Sequence, residues 1–124
     1  MYIEKGENPT QLYTLLKKRG TMKEIDVQNS IRIGVADIAL IFRANVGGFK
    51  TEDGRFITTG LPAGFPDLFG IRKSDGKAIF IEVKNEKGKP SEKQVKMGEI
   101  LKNAGANWGI ARSVEEARRI INEN

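Results

Sequence analysis

The stretch "PDLFGIRKSDGKAIFIEVK", which begins at Pro66, constrains the fold more than any other part of the chain. Two apolar runs flank a Ser-Asp-Gly segment, and Asp-Gly between such runs is a strong signal for a β-hairpin. The runs also contain Asp67, Glu82 and Lys84, although packed strands normally exclude charge. The stretch therefore predicts two antiparallel strands that carry charged groups at the end away from the turn.

The length of the hairpin loop decides which charged groups meet. A two-residue turn at Asp75-Gly76 places Asp67 opposite Lys84 and makes Glu82 its diagonal neighbour, with Cα atoms roughly 7–8 Å apart. Their side chains could then share a cation. A four-residue loop keeps both carboxylates on one face, whereas a three-residue bulged loop separates them. The ordinary alternative is a surface ion pair between Asp67 and Lys84 with Glu82 in solvent.

The composition excludes several kinds of chemistry. The 124 residues contain no cysteine, which removes disulfides, thiolate nucleophiles and thiolate metal sites. They contain no histidine either, which removes Ser-His-Asp catalysis, histidine general bases and most zinc sites. Any metal ion would be held by oxygen atoms, as Mg²⁺ and Mn²⁺ are. The net charge of +5 suits a polyanion such as nucleic acid as the partner.

The length predicts a single domain over residues 1–124. No run approaches the roughly 18 apolar residues of a membrane span. The start, "MYIEKGENPTQ", has neither the basic nor the apolar region of a signal peptide. We therefore expect a cytoplasmic protein that does not contact a membrane.

Cap residues and apolar periodicity predict an α/β fold in which helices flank a mixed β-sheet. Three Ser/Thr-x-x-Glu/Gln patterns, which start at Thr21, Ser91 and Ser113, are typical of capping boxes that open helices. The predicted order is α-α-β-β-β-α-β-α: helices over 8–20 and from 21, a strand over 38–45, the hairpin, a helix over 91–104, a strand over 107–112 and a helix from 113. The segment over 46–60 is predicted as a loop with a short strand near Phe56.

The helix from Ser91 repeats Met97, Ile100, Leu101 and Ala104 at helical spacing, which predicts its apolar side. Trp108, in the following strand, is predicted to pack in the core rather than to stack on a base.

The charged residues of the hairpin resemble the signature of the PD-(D/E)xK nuclease superfamily, in which Pro-Asp precedes an acidic residue, any residue and Lys. Here the signature is Pro66-Asp67 followed by Glu82-Val83-Lys84. The phrases "GLPAGFPDLFGI", "FIEVK" and "SEKQVKMGEIL", with "FRANVGG" before them, are similar to the virus-type replication-repair nuclease (VRR-NUC) branch. The motif core extends over about 21–112, and the resemblance implies a restriction-endonuclease-like fold.

The resemblance also implies a role for each motif residue. Asp67, Glu82, the Val83 carbonyl and Glu24 would hold Mg²⁺ or Mn²⁺, and Lys84 would orient water or stabilise charge on the phosphate. Gln94 would support the lysine region. Glu24 and Gln94 also occupy the last position of a capping box, so for both the structural and the catalytic interpretations stay open.

DNA contacts are expected outside the metal site. Arg43 and Asn45 would bind phosphates, which position a backbone without reading its sequence. Lys87 and Lys89 lie in a lysine-rich run close to the signature and would add further phosphate contacts.

The function predicted from the resemblance is metal-dependent endonuclease cleavage of DNA without an organic cofactor. Water would attack phosphorus in line and leave a 5′-phosphate and a 3′-hydroxyl. Small members of the branch are similar to homodimeric enzymes that act on four-way (Holliday) junctions in repair and recombination, so such a resolvase is the expected activity. A flap nuclease, another DNA nuclease, a non-catalytic DNA-binding module and a protein-interaction domain are the alternatives.

Overall fold

The computed structural model describes residues 22–124, so the helix predicted over 8–20 lies outside the described residues. The described part has the predicted mixture of helices and strands, in the predicted order except for two additional short strands after the first. The helices are α1 (Glu24–Gly34), α2 (Glu92–Asn103) and α3 (Val114–Asn122). The strands are β1 (Ala39–Arg43), β2 (Gly48–Lys50), β3 (Phe56–Thr58), β4 (Leu68–Arg72), β5 (Ala78–Val83) and β6 (Asn107–Ala111).

The main sheet has four strands in the order β1-β4-β5-β6. β4 is antiparallel to both β1 and β5, and β6 runs parallel to β5. A parallel pair needs a long crossover, which α2 supplies. The result is the predicted α/β fold with a mixed sheet.

The segment between β1 and β4 is more regular than predicted. It forms a separate two-stranded antiparallel sheet, in which Gly48 pairs with Thr58 and Lys50 pairs with Phe56. Each of its strands has three residues, too few for alternation in the sequence to reveal both. Phe49 and Phe56 are exposed on this hairpin.

The core lies on one face of the main sheet, beneath α1 and α3. Alternate residues of β4 and β5 turn their side chains to this face, as the hairpin pattern predicts. Helices α1 and α3 supply a second apolar layer and contact one another. The buried apolar residues of these four elements are Val27, Ile31, Leu68, Ile79, Ile81, Val83, Ala117, Ile120 and Ile121.

Helix α2 packs differently from its predicted apolar side. Ile100 is 61% exposed, and Gly98 is the buried residue of the helix. A Cβ at Gly98 would lie 2.2 Å from Cε2 of Trp108, so the indole occupies the space that a larger side chain would need. Trp108 thus packs between β6 and α2, which agrees with its predicted structural role.

The hairpin loop has four residues, not two. The N–H of Arg72 donates to the carbonyl of Lys77 at 2.8 Å, which leaves residues 73–76 as the loop. The Asp75 carboxylate accepts from the Arg72 guanidinium and from the Lys77 N–H, and these bonds hold the wider loop closed. The predicted pairing of Asp67 with Lys84 is therefore wrong. The register pairs Leu68 with Ile81, which places Asp67 directly opposite Glu82.

The predicted capping box that ends at Glu24 is also wrong. Lys23 is the N-cap of α1, with an extended backbone and no capping bond from its side chain. Glu24 is thus the first residue of the helix rather than the third after the cap. A carboxylate in the first turn interacts favourably with the helix dipole and leaves its side chain free to reach other elements.

Within the described residues, no helix combines the length and the apolar character that crossing a membrane requires.

Candidate active site

Two carboxylates face one another at the edge of the sheet where β4 begins and β5 ends. Asp67 directly precedes β4, and Glu82 is the fifth residue of β5. The N–H of Val83 donates to Oδ2 of Asp67 at 2.8 Å, which fixes this carboxylate against the edge of β5. Glu82 is 1% exposed, whereas Asp67 is half-buried. The surface ion pair with a solvated Glu82 is therefore not the arrangement that the structure adopts.

Burial and the neighbouring Asp67 together raise the pKa of Glu82 from its ordinary value of 4.5 to about 9. Burial is the largest cause, Asp67 acts through a shared proton and through its negative charge, and Lys84 acts in the opposite direction. Glu82 thus holds a proton at neutral pH in the protein alone. A cation bound beside Asp67 and Glu82, in addition to Lys84, would displace that proton.

Lys84 lies between two acidic residues. Its Nζ is 3.8 Å from Oε1 of Glu82 and 3.9 Å from Oε1 of Glu24, and its side chain is 12% exposed. These distances exceed a hydrogen bond, so the ammonium group keeps donors for another partner. Glu24 reaches the site from the first turn of α1, and Lys84 forms the link between that helix and β5.

Gln94 caps helix α2, as one of the two open interpretations has it, and its side chain also contacts Glu82. Its side-chain amide oxygen accepts from the backbone N–H of Ser91 at 2.8 Å, and its backbone N–H donates to the Ser91 hydroxyl. These two bonds complete a capping box for α2. Its Nε2 donates to Oε1 of Glu82 at 2.9 Å. One side chain therefore caps the helix and positions the buried carboxylate.

The residues present fit a hard divalent cation. Oε2 of Glu82 is buried and accepts no hydrogen bond from a donor group of residues 22–124, so a proton held between Glu82 and Asp67 or a bound cation would satisfy it. Asp67 lies opposite, and the carbonyl of Val83 points to the same edge of β5 as the N–H that contacts Asp67. Three oxygen donors of this kind suit Mg²⁺ or Mn²⁺. In the described part of the chain no three acidic side chains cluster as a metal site, and Glu24 is placed beside Lys84.

A cleft of about 450 Å³ opens beside Asp67. Arg43 and Asn45, both predicted to bind DNA, line this cleft and are exposed. They are held there because the N–H of Ala44 donates to the carbonyl of Asp67 at 2.8 Å, which continues the β1–β4 pairing. A basic and an amide donor therefore stand next to the carboxylate pair.

Gln28 also lines the cleft, and sequence reasoning missed it. It follows Glu24 by four residues, so both lie on one side of α1. Its place one helical turn after Glu24 is the signal that could have identified it, because Asn29 and Ser30 also lie between the buried Val27 and Ile31.

The predicted DNA-binding lysines lie on the loop after β5. Arg112 donates to the carbonyls of Asn85 and Gly88, each at 2.6 Å, and this fixes the loop. A Cβ at Gly88 would lie 2.9 Å from Oε1 of Glu24, so the loop runs past the site. Lys87 and Lys89 are exposed on it, although neither lines the cleft beside Asp67.

The profile of the VRR-NUC domain matches residues 53–115, just over half of the 124 residues. This chain belongs to the VRR-NUC domain family. This chain is also similar to a solved structure described as a VRR_NUC domain, at 25% identity and a TM-score of 0.56. The aligned region covers 81% of this chain and 95% of the solved chain. A search of curated proteins found no significant match.

The VRR-NUC match includes the hairpin signature and Gln94, and it begins after Glu24, Gln28, Arg43 and Asn45. The site assignments of those four residues rest on where α1 and β1 place them. The family and the mixed sheet agree on a nuclease-type, restriction-endonuclease-like domain.

Proposed function

We propose that this VRR-NUC domain is a Mg²⁺- or Mn²⁺-dependent endodeoxyribonuclease that cleaves branched DNA, with four-way junctions as the preferred substrate. The observation that carries the proposal is the buried Glu82, whose Oε2 accepts no hydrogen bond from a donor group of residues 22–124 and which lies opposite Asp67 and beside Lys84. A family of nuclease-type domains supplies the context.

Each residue has a part in this proposal that its position supports. Asp67, Glu82 and the Val83 carbonyl would hold the cation, which lowers the pKa of water and neutralises charge on a phosphate. Lys84 donates to the phosphate oxygen or to the attacking water with the hydrogens that its long ion pairs leave free. Glu24 and Gln94 position Lys84 and Glu82, respectively.

The remaining donors would hold the DNA backbone. Arg43 and Asn45 in the cleft, with Lys87 and Lys89 on the neighbouring loop, present cationic and amide groups that suit phosphate oxygens. Contacts of this kind position DNA without reading bases, which favours recognition of shape. Because a four-way junction needs two coordinated cuts, we propose a homodimer with twofold symmetry.

The test compares labelled four-way junction, flap, single-stranded and duplex DNA in Mg²⁺, in Mn²⁺ and in EDTA. Wild-type protein should cut the junction with either cation and should not cut in EDTA. Lys84→Met and Asp67→Asn should each lose at least about a hundredfold in rate. Lys96→Met, on the surface of α2 where Lys96 pairs with Glu92, is the matched control and should cut normally.

Undiminished cutting by Asp67→Asn would contradict the catalytic assignment. A preference for flaps or single strands would keep the chemistry and replace the substrate. Tight DNA binding without cutting in either cation would instead identify a non-catalytic DNA-binding module.

A further inference from the structure

Gln28, like Glu82, is a buried polar residue with an oxygen atom that no hydrogen-bond donor contacts. The residue is 8% exposed, and Oε1 finds no hydrogen-bond partner within residues 22–124. By contrast, the hydroxyl of Ser30 donates to the carbonyl of Asp26 at 2.9 Å, and Nδ2 of Asn107 donates to the carbonyl of Ile120 at 2.9 Å. A buried acceptor without a donor costs about 1–3 kcal/mol, so such a group calls for a partner.

The position of Gln28 connects two parts of the site. Its side chain lines the cleft that Asp67 also lines. One helical turn earlier, Glu24 lies 3.9 Å from the ammonium group of Lys84. Helix α1 therefore places Glu24 beside Lys84 and Gln28 in the cleft with Asp67. Gln28 borders the space in which substrate and water would meet.

The chemistry of the substrate narrows the choice of partner. The sugar-phosphate backbone of DNA offers only acceptors, because deoxyribose within a strand has no free hydroxyl and its phosphates carry no proton. An acceptor in the cleft cannot pair with that backbone. Water has two donors, and the reacting water needs acceptors to orient it and to hold its protons. A carboxamide serves as such an acceptor without adding negative charge next to a phosphate.

We propose that Gln28 is a positioning residue whose carboxamide oxygen accepts a hydrogen bond from the hydrolytic water beside Asp67. The inference rests on the proposed nuclease function and adds to it the group that orients the nucleophile. Loss of such an acceptor leaves the water free to rotate, so the rate of the chemical step falls while the affinity for DNA stays the same.

The test uses Gln28→Met, which keeps the length of the side chain and removes the acceptor, and Gln28→Glu, which keeps an acceptor. Arg32→Met, exposed on the same helix, is the matched control. Single-turnover cleavage of junction DNA in Mg²⁺ gives the rate. Fluorescence anisotropy in Ca²⁺ gives the DNA affinity, and thermal denaturation gives the stability.

Gln28→Met should slow cleavage by about 10- to 100-fold and bind DNA with an affinity within about twofold of wild type. Its melting temperature should be equal to that of wild type or higher, because removal of an unpaired acceptor is neutral or stabilising. Gln28→Glu should recover part of the lost rate, and Arg32→Met should resemble wild type.

Three results would overturn the inference while wild type remains active: an unchanged rate in Gln28→Met, a loss of DNA affinity equal to the loss of rate, or a lower melting temperature whose effect on rate disappears on cooling. The first leaves Gln28 without a role, the second assigns it to DNA binding, and the third to packing. If wild type cuts no DNA in either cation, the proposed function fails and the inference fails with it.

Discussion

Replacement of Glu82 by glutamine should stabilise the protein without metal and remove most of its pH dependence at neutral pH. The folded protein holds the Glu82 proton up to a pH of about 9, whereas the unfolded chain releases it near the ordinary pKa of 4.5. Between these values the folded state binds more protons than the unfolded state. Raising the pH therefore favours unfolding of the wild type throughout this window.

The expected size follows from the shift. Each pH unit inside the window changes the free energy of unfolding by at most about 1.4 kcal/mol for one group. From pH 6 to pH 8 the wild type would lose up to about 3 kcal/mol, which is a fall in melting temperature of about 10 °C for a domain of this size. Glutamine has the shape of protonated Glu82 and no proton to lose, so Glu82→Gln should remain nearly level.

Thermal denaturation in EDTA at half-unit steps from pH 6 to pH 8.5 measures this difference. The interval is favourable because the sequence has no histidine, the side chain that ordinarily titrates there. The α-amino group titrates in both proteins, and the comparison cancels it. Equal slopes for wild type and Glu82→Gln would refute the reasoning, since the pH dependence would then arise elsewhere.

Two further predictions concern residues around the site. Gln94→Glu keeps the acceptor that caps α2 and loses the donor to Glu82. The rate of cleavage should therefore fall about tenfold or more, while the helical circular dichroism at 222 nm stays unchanged. A large loss of helix with normal cleavage would contradict the dual role of Gln94. Gly98→Val should lower the free energy of unfolding by about 1–3 kcal/mol, measured by urea denaturation, because the new side chain collides with Trp108. Ile100→Ser, on the exposed side of α2, should change it by less than about 0.5 kcal/mol. Equal losses in the two variants would contradict the observed packing.

The sequence predicts the parity of the hairpin but not its register. Alternating side chains place Asp67 and Glu82 on one face for any even loop, and that survives in the structure. The register shifts by two residues because the Asp75 carboxylate bonds with Arg72 and with the Lys77 N–H, contacts that a turn motif does not reveal. Local Asp-Gly chemistry fixes where the chain turns, and side-chain bonds across the loop fix how wide the turn is.

Packing between elements is the other part that periodicity does not predict. The apolar spacing of α2 indicates a helix correctly, yet the space against β6 is filled by Trp108, and only Gly98 allows the two to approach. Gln94 illustrates a different limit, because a carboxamide has two ends and a sequence motif accounts for only one. Gln28 was missed because it stands in a polar run with Asn29 and Ser30, in which no motif distinguishes it.

The measurement that tests the central claim most directly is a crystal structure grown with Mn²⁺, with anomalous diffraction recorded at the manganese edge. The account predicts an anomalous peak between the carboxylates of Asp67 and Glu82, and no peak there for Asp67→Asn. The same map shows whether Glu24 contacts the ion or stays with Lys84. A wild-type crystal at saturating Mn²⁺ without a peak at this pair, or with its peak at other residues, would contradict the account.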